Sequence, residues 1–387
     1  MKKSNENSKK IKETEPVKSS PHMEEAKDLY LRCRLDEAFP LFQKAAAAGD
    51  GEAMYFLGEY YTQGYGHVRQ DLEKGEKWRE KGAKKGNILA RLNTAFAEKE
   101  SPTVRMCICN MLFPEILKMS EAGDIFAQNE LADLYLYGFG ISPDVKKAIY
   151  WLKKAGDRGF WRPLNKLGEV YLSDGRIKKD VKAARECFQK AADMGYGEAE
   201  ANLGYLYYNE KPTHPEKCAW YMKCAFAHGF LHDADAACFL GEIYTAGDGV
   251  KKDEAEGLAW AKRSADLGNG RGMRNLGLHY EKGWGTPQNS ERAIYWYKKS
   301  AEAGFADGMI ACGVALRETG KEAEAVPYFQ NAAEKGYPPG MVWYASCYLY
   351  GIGTEVNRET ALLWLKRAAI LDDEDGKRLL AEEMGRK

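Results

Sequence analysis

The sequence predicts an all-α protein, an α-solenoid in which helix-turn-helix repeats form a right-handed superhelix. Three features of the 387 residues predict this fold: a leucine that recurs every 36 or 37 residues, a small residue directly after it, and a tyrosine four residues after it. The recurring leucines are Leu131, Leu167, Leu203, Leu240 and Leu276. A period of this length is typical of stacked hairpins that bury their apolar faces against their neighbours, and we expect about nine or ten of them.

One repeat, residues 240–268, shows why each position predicts its local structure. Leu240 and Tyr244 share one face of a first helix. Gly247 ends that helix, because glycine adopts the left-handed conformation of a helix C-cap. Asp253 is a typical N-cap for the second helix, which carries Trp260.

The second helices of several repeats carry a tryptophan at the same position. These residues are Trp78, Trp151, Trp260, Trp296 and Trp364. We expect the small residue after the leucine to let two helix backbones approach closely, and the large rings to fill the space between hairpins.

These positions follow the pattern A-x-x-x-L-G-x-x-Y-x-x-G-x-G, with D-x-x-K-A-x-x-W in the second helix. The pattern resembles the Sel-one-like repeat (SLR), a relative of the tetratricopeptide repeat. The resemblance is clearest in residues 126–160, 235–269 and 272–305, and it covers most of the chain from 51 to 372. It implies an α-superhelix that binds proteins or peptides, often as an adaptor in a complex, and it implies no chemistry.

The repeat pattern divides the chain into four parts. Residues 1–22 are polar and are interpreted as a disordered tail. Residues 23–50 form a tetratricopeptide-like hairpin, residues 51–372 the SLR array, and residues 373–387 a charged helix that caps the open end.

Two units inside the array depart from the pattern. Residues 88–124 keep the period but lose the tyrosine and the G-x-G loop, and Met106–Pro114 is apolar where a polar loop is expected. We expect Pro114 to open the next helix there, because proline suits a first helical turn. Residues 306–337 lack the long loop and resemble a tetratricopeptide unit.

Charge and cysteine content narrow the function classes. Lys plus Arg and Asp plus Glu both number 57, a balance that argues against a nucleic-acid partner. The 9 cysteines are irregularly spaced, which favours reduced thiols and a cytoplasmic location over a disulfide framework. We recognise no signal peptide and no run long enough for a membrane helix.

Cys224, His228 and His232 have a spacing that would place three metal ligands on one continuous helix. Gly229 lies between the histidines at a hairpin boundary, so we expect the ligands to point apart. Phosphate loops, zinc-protease motifs and nucleophile triads are absent from the sequence. We therefore predict no catalytic residue, no cofactor and no metal.

The stronger candidate is a groove on the first helices. In the related tetratricopeptide arrays the first helix of each hairpin lines the concave wall, and the resemblance implies the same here. Positions counted from the repeat leucine then select as partner-binding residues Tyr55, Asn129, Tyr137, Arg162, Asn165, Tyr205, Tyr208, Arg271 and Arg274. Asn129 and Asn165 occupy the same position in successive repeats, where two amides can clamp an extended peptide.

The predicted function is a non-catalytic adaptor that holds a protein or peptide on this concave wall. Two alternatives stay open: a specific inhibitor or immunity-type partner of one target protein, and a metal-dependent enzyme or enzyme regulator. The prediction includes no nucleic acid and no membrane insertion, and it leaves the oligomeric state open.

Overall fold

The computed structural model describes residues 21–96, 101–211 and 213–385. Within these ranges the chain forms 21 α-helices and no β-strand, which confirms the predicted all-α solenoid of helical hairpins. Most of the predicted N-terminal tail lies outside the described residues, and its last residue, His22, already lies in the first helix. The chain divides into two compact units, unit 1 up to Tyr196 and unit 2 from Gly197.

Unit 1 contains ten helices that pair in sequence as first and second helices of hairpins. Their bounds are α1 Pro21–Leu31, α2 Leu35–Ala47, α3 Gly51–Gln63, α4 Leu72–Lys84, α5 Ile88–Thr94, α6 Pro102–Glu121, α7 Ile125–Tyr137, α8 Val145–Gly156, α9 Trp161–Ser173 and α10 Val181–Ala192.

Unit 2 contains five further hairpins and a final single helix. Their bounds are α11 Gly197–Asn209, α12 Pro215–Ala227, α13 Ala234–Ala246, α14 Glu254–Asp266, α15 Gly270–Lys282, α16 Ser290–Glu302, α17 Ala306–Glu318, α18 Glu322–Glu334, α19 Pro338–Tyr350, α20 Arg358–Ile370 and α21 Glu374–Gly385.

The small residue after the repeat leucine brings the two helices of a hairpin together. A Cβ placed on Gly277 would lie 2.5 Å from the ring of Tyr297, and one on Gly313 would lie 2.6 Å from the ring of Phe329. Real Cβ atoms are not found so close to another atom, so these positions require glycine if the opposing ring is to stay where it is. The ring that presses on the glycine follows the repeat tryptophan position by one residue.

The second glycine of the G-x-G loop has a role between repeats. Gly285 has a φ of +66°, and a Cβ on it would lie 2.4 Å from the carbonyl oxygen of Glu254 at the start of α14. Gly353 stands in the same relation to Glu322 at the start of α18, at 2.3 Å. The loop of one repeat therefore packs directly on the second helix of the repeat before it.

The irregular unit at residues 88–124 corrects one expectation. Pro114 does not open a helix: α6 runs through it for 20 residues, and Met106–Pro114 belongs to that helix. Cys109, Leu112 and Ile116 recur at a spacing of three and four, and all three are buried in the core of unit 1. Burial of this apolar stripe outweighs the hydrogen bond that proline cannot donate.

Candidate functional site

The first helices form a continuous wall within unit 2. Direct contacts join α11 to α13, α13 to α15, α15 to α17 and α17 to α19. The predicted partner-binding residues of this unit lie on two of these helices: Tyr205 and Tyr208 on α11, and Arg271 and Arg274 on α15.

In unit 1 the residues of the first helices are packed around α1. The indole Nε1 of Trp161 in α9 donates a hydrogen bond to the backbone oxygen of Tyr30 in α1 at 2.8 Å, although 131 residues separate them. Tyr30 also contacts the rings of Phe56, Phe126 and Phe160 at centroid distances of 5.1 to 6.2 Å. These contacts fill the space in which the sequence predicts an open groove.

A buried carboxylate in α3 of unit 1 pairs with two arginines. The Oε1 of Glu59 accepts a hydrogen bond from Arg79 at 2.9 Å, and its Oε2 accepts one from Arg162. Burial opposes the charge of Glu59, but the two guanidinium groups outweigh it and lower the pKa of this carboxyl. Arg162, a predicted binding residue, is thus committed to an ion pair inside unit 1.

The pKa of a second buried carboxylate, Glu130 in α7, is shifted in the opposite direction. Its Oε1 accepts hydrogen bonds from the hydroxyl of Tyr55 at 3.1 Å and from the amide of Asn129 at 3.3 Å. Burial raises the pKa of Glu130 to about 7, because attraction to Arg162 does not compensate for the lost hydration.

The expectation of an open wall is therefore not met for most of the candidate residues of unit 1. Tyr55, Asn129 and Asn165 are only 3%, 1% and 4% exposed. Asn165 donates to Glu169 on its own helix at 2.9 Å, so the two asparagines do not present a pair of free amides. Tyr137 is 62% exposed and lies beside Phe139. A role for any of these residues in partner binding stays a prediction.

In unit 2 the wall carries an accessible aromatic and arginine cluster. Tyr208 in α11 lies 4.3 Å from the ring of Phe239 in α13, and the guanidinium of Arg271 in α15 lies 5.1 Å from the same ring. All three side chains are half-buried. Arg271 donates to Glu242 at 2.7 Å, and the hydroxyl of Tyr205 donates to the carboxylate of Asp233 at 2.6 Å. Three successive first helices thus present one preorganised surface, which we call the aromatic–arginine cluster: Tyr205, Tyr208, Phe239 and Arg271.

Beside this cluster, a cavity of about 460 Å³ opens between α13 and α15. Its apolar walls include Ala246, Leu278 and Trp284, and Arg274 and Lys252 bring positive charge to it. The predicted residue Arg274 therefore lies at the cavity, next to Asn275, whose Oδ1 accepts a hydrogen bond from it at 3.2 Å.

A buried histidine closes the cavity toward the G-x-G loop of α15. The Nδ1 of His279 donates to the backbone oxygen of Trp284 at 2.9 Å, and its Nε2 lies 3.1 Å from the hydroxyl of Thr245. Burial lowers the pKa of His279, which keeps the ring neutral at physiological pH.

Sequence reasoning missed Phe239 and Trp284. Phe239 directly precedes a repeat leucine, and so does Asn275; Trp343 has the same place before Tyr344, which stands at the leucine position of its repeat. The sequence prediction used the position two residues before the leucine and left out the position directly before it, which also lies on the wall. Trp284 is the middle residue of a G-x-G loop, where only glycines were considered.

Cys224, His228 and His232, which have the spacing of metal ligands in the sequence, do not converge in the structure. His228 is bound through Nδ1 to Glu200 at 2.8 Å, while His232 is exposed and lies beyond the end of the helix that carries Cys224. Within the described ranges, no three His, Cys, Asp or Glu side chains come together as a metal site requires. None of the described helices is long and apolar enough to cross a membrane.

Comparison with known sequences supplies the family. The Sel1 repeat matches more than half of the chain in eight segments: 35–50, 51–87, 125–160, 164–196, 197–230, 234–269, 270–305 and 338–373. The chain belongs to the Sel1 repeat family. The segments 88–124 and 306–337 are not part of the match.

Solved Sel1 repeat structures show the same fold. A protective antigen of uropathogenic Escherichia coli with an SLR fold is 23% identical, with a TM-score of 0.64, over 90% of this chain and 83% of its own. A Sel1 repeat protein from Oxalobacter formigenes is 21% identical, with a TM-score of 0.56, over 95% of this chain and 98% of its own. Sel1 repeat proteins are generally protein-interaction scaffolds.

Proposed function

We propose that this Sel1 repeat protein is a non-catalytic scaffold that holds a protein or peptide on the first-helix wall of unit 2. The aromatic–arginine cluster carries the proposal. Tyrosine and arginine dominate the binding energy of many protein interfaces, because they combine large contact area with directed hydrogen bonds. Phe239 adds an apolar surface between Tyr208 and Arg271.

The cluster is held in position by contacts that leave its outer surface accessible. Arg271 is oriented by Glu242 and by the ring of Phe239, and its side chain is still 40% exposed. A partner would therefore meet side chains that have already lost most of their rotational freedom. Such preorganisation lowers the entropic cost of binding.

The same surface offers little to a catalytic mechanism. The thiol of Cys238, which directly precedes Phe239 of the cluster, is buried, and burial raises its pKa to about 12. Its neighbouring carboxylate, Glu242, is occupied by Arg271 and Asn275 at 2.7 and 2.8 Å. These contacts support binding and not bond cleavage.

Affinity capture with quantitative mass spectrometry tests the proposal, with the intact protein as bait in a lysate of the source organism. We expect the variant Tyr208→Ala/Arg271→Ala to capture at least about tenfold less of the partner protein than the intact bait does, because two central anchors are removed. Tyr295→Ala is the matched control: Tyr295 is 53% exposed but lies on α16, a second helix.

The control decides how the result is interpreted. Retention of the partner by the Tyr295 variant, with loss by the cluster variant, supports binding at the first-helix wall. Equal capture by all three baits refutes the proposed surface, provided that circular dichroism shows the same helix content for each.

A further inference from the structure

The cavity between α13 and α15 contains an arginine that lacks a full set of partners. The Nε of Arg274 is buried and has no hydrogen-bond partner, and Nη1 donates only to the neutral side chain of Asn275. No carboxylate among the residues that the structure describes lies within ion-pair distance of this guanidinium. An unsatisfied buried donor on a charged group is costly, and a ligand with an anionic acceptor would remove that cost.

The nearby acids are already engaged by other groups. Glu242, which lines the cavity, accepts from Arg271 at 2.7 Å and from Asn275 at 2.8 Å. Glu281 is bound by Lys282 and by the hydroxyl of Tyr297, each at 2.6 Å, and senses Arg274 only at longer range. Lys252 at the rim pairs with Glu254 outside the cavity. Arg274 is therefore the one charge at this cavity that the described residues do not neutralise.

The cavity also has apolar walls and is large enough for more than a carboxylate. Ala246, Leu278 and Trp284 form its walls, and its volume of about 460 Å³ lies in the range of small-ligand sites. The neutral ring of His279 at its base adds no competing charge. An aromatic or branched aliphatic group would fill this space while a carboxylate reaches the guanidinium.

We propose that this cavity binds a carboxylate that is attached to an apolar group, with Arg274 as the anion receptor and Leu278 and Trp284 as the apolar walls. The same chemistry occurs in a small carboxylic acid and in the apolar C-terminal residue of a peptide. This site goes beyond the proposed scaffold function and does not depend on it, because it stands on the cavity and Arg274 and not on the aromatic–arginine cluster.

Ligand-observed NMR titration of the full chain tests the site with 3-phenylpropionate and its neutral analogue, 3-phenylpropanamide. We expect the acid to bind at least about tenfold more tightly than the amide, because only the acid accepts charge-assisted hydrogen bonds from Arg274. Equal binding of the two compounds, or no binding of the acid, overturns the proposal.

Three variants locate the site. Arg274→Gln is expected to weaken binding of the acid at least about tenfold. Arg317→Gln is the matched control, because Arg317 is an arginine of the neighbouring first helix that stacks on Trp343 and does not line the cavity. Glu242→Gln is expected to increase the affinity for the acid about threefold, because it removes a negative charge from the cavity wall. A gain of affinity cannot come from a misfolded variant, and an equal loss in both arginine variants overturns the assignment.

Two further experiments identify the source of the carboxylate and separate this site from the scaffold function. The peptide Ser-Gly-Gly-Phe is titrated with a free and with an amidated C-terminus. If 3-phenylpropionate and the free peptide bind and the amidated peptide does not, the site is assigned to a protein terminus. If 3-phenylpropionate binds and neither peptide does, the site is assigned to a small acid. Tyr208→Ala, outside the cavity, is expected to weaken protein capture and to leave the binding of 3-phenylpropionate unchanged.

Discussion

Glu130 gives the sharpest test of the electrostatics in unit 1, because its burial is predicted to cost stability at neutral and alkaline pH. The ordinary pKa of the carboxyl is 4.5, and burial raises it to about 7 in the folded chain. Below pH 4.5 the group is protonated whether or not the chain is folded, and it costs nothing. Between pH 4.5 and 7 the unfolded chain has released this proton while the folded chain retains it, so stability falls as the pH rises, and the loss is complete above about pH 7.

The substitution Glu130→Gln removes this charge and keeps an oxygen that accepts from Tyr55 and Asn129. One pKa unit corresponds to about 1.4 kcal/mol, so an upward displacement from 4.5 to about 7 is worth about 3 kcal/mol above pH 8. At pH 5 the same linkage gives less than about 1 kcal/mol. We therefore expect the variant to be more stable than the native chain at pH 8 and nearly equal to it at pH 5.

Urea unfolding at the two pH values measures the effect, and hydrogen exchange of the α7 amides reports it locally. Glu59→Gln is the control of opposite sign: the pKa of Glu59 is lowered, so its stabilising contribution is present at both pH values. That variant is expected to be destabilised at pH 5 and at pH 8, because Arg79 and Arg162 lose their carboxylate. If Glu130→Gln is no more stable than the native chain at pH 8, the account of a destabilising buried charge is wrong.

Two further predictions concern packing. Gly353→Ala is expected to cost about 2–4 kcal/mol of unfolding free energy, because its new Cβ meets the Glu322 backbone. Gly336 has a similar positive φ but open space around it, so Gly336→Ala is expected to cost only about 1 kcal/mol. Equal shifts of the urea midpoint in the two variants would contradict the packing role of the loop. Trp161→Ala is expected to cost about 3–5 kcal/mol and to speed hydrogen exchange in α1, since the buried indole holds Tyr30. Unchanged exchange in α1 would show that this contact does not anchor the helix.

The hairpins were predictable because their signals are local. A leucine, a small residue and a tyrosine on one face, followed by a glycine and an aspartate, define a helix, its end and the start of the next. Gly247 ends α13 in the left-handed conformation, and the side chain of Asp253 caps α14. Pro114 was misread because the proline rule was weighed without the apolar stripe that continues on both sides of it.

The interior of unit 1 could not be read from the repeat. A rule that counts from each leucine treats all first helices alike, and it carries no information about contacts between distant repeats. The hydrogen bond from Trp161 to Tyr30 is such a contact, and it places α1 against α9. The rule therefore assigned Tyr55 and Asn129 to an exposed wall, although both are buried.

Polar pairing along the first helices does not by itself mark a binding surface. The acid two residues after the repeat leucine is bound by a later first helix in both units: Asp133 by Lys166 at 2.5 Å, and Glu242 by Arg271 at 2.7 Å. These pairs join neighbouring repeats wherever the pattern supplies them. What distinguishes unit 2 is that Tyr208 and Phe239 lie half-exposed beside such a pair. Apolar area that the chain itself does not cover, next to charges that are already oriented, is what a partner can use, and this is why the candidate site is placed in unit 2.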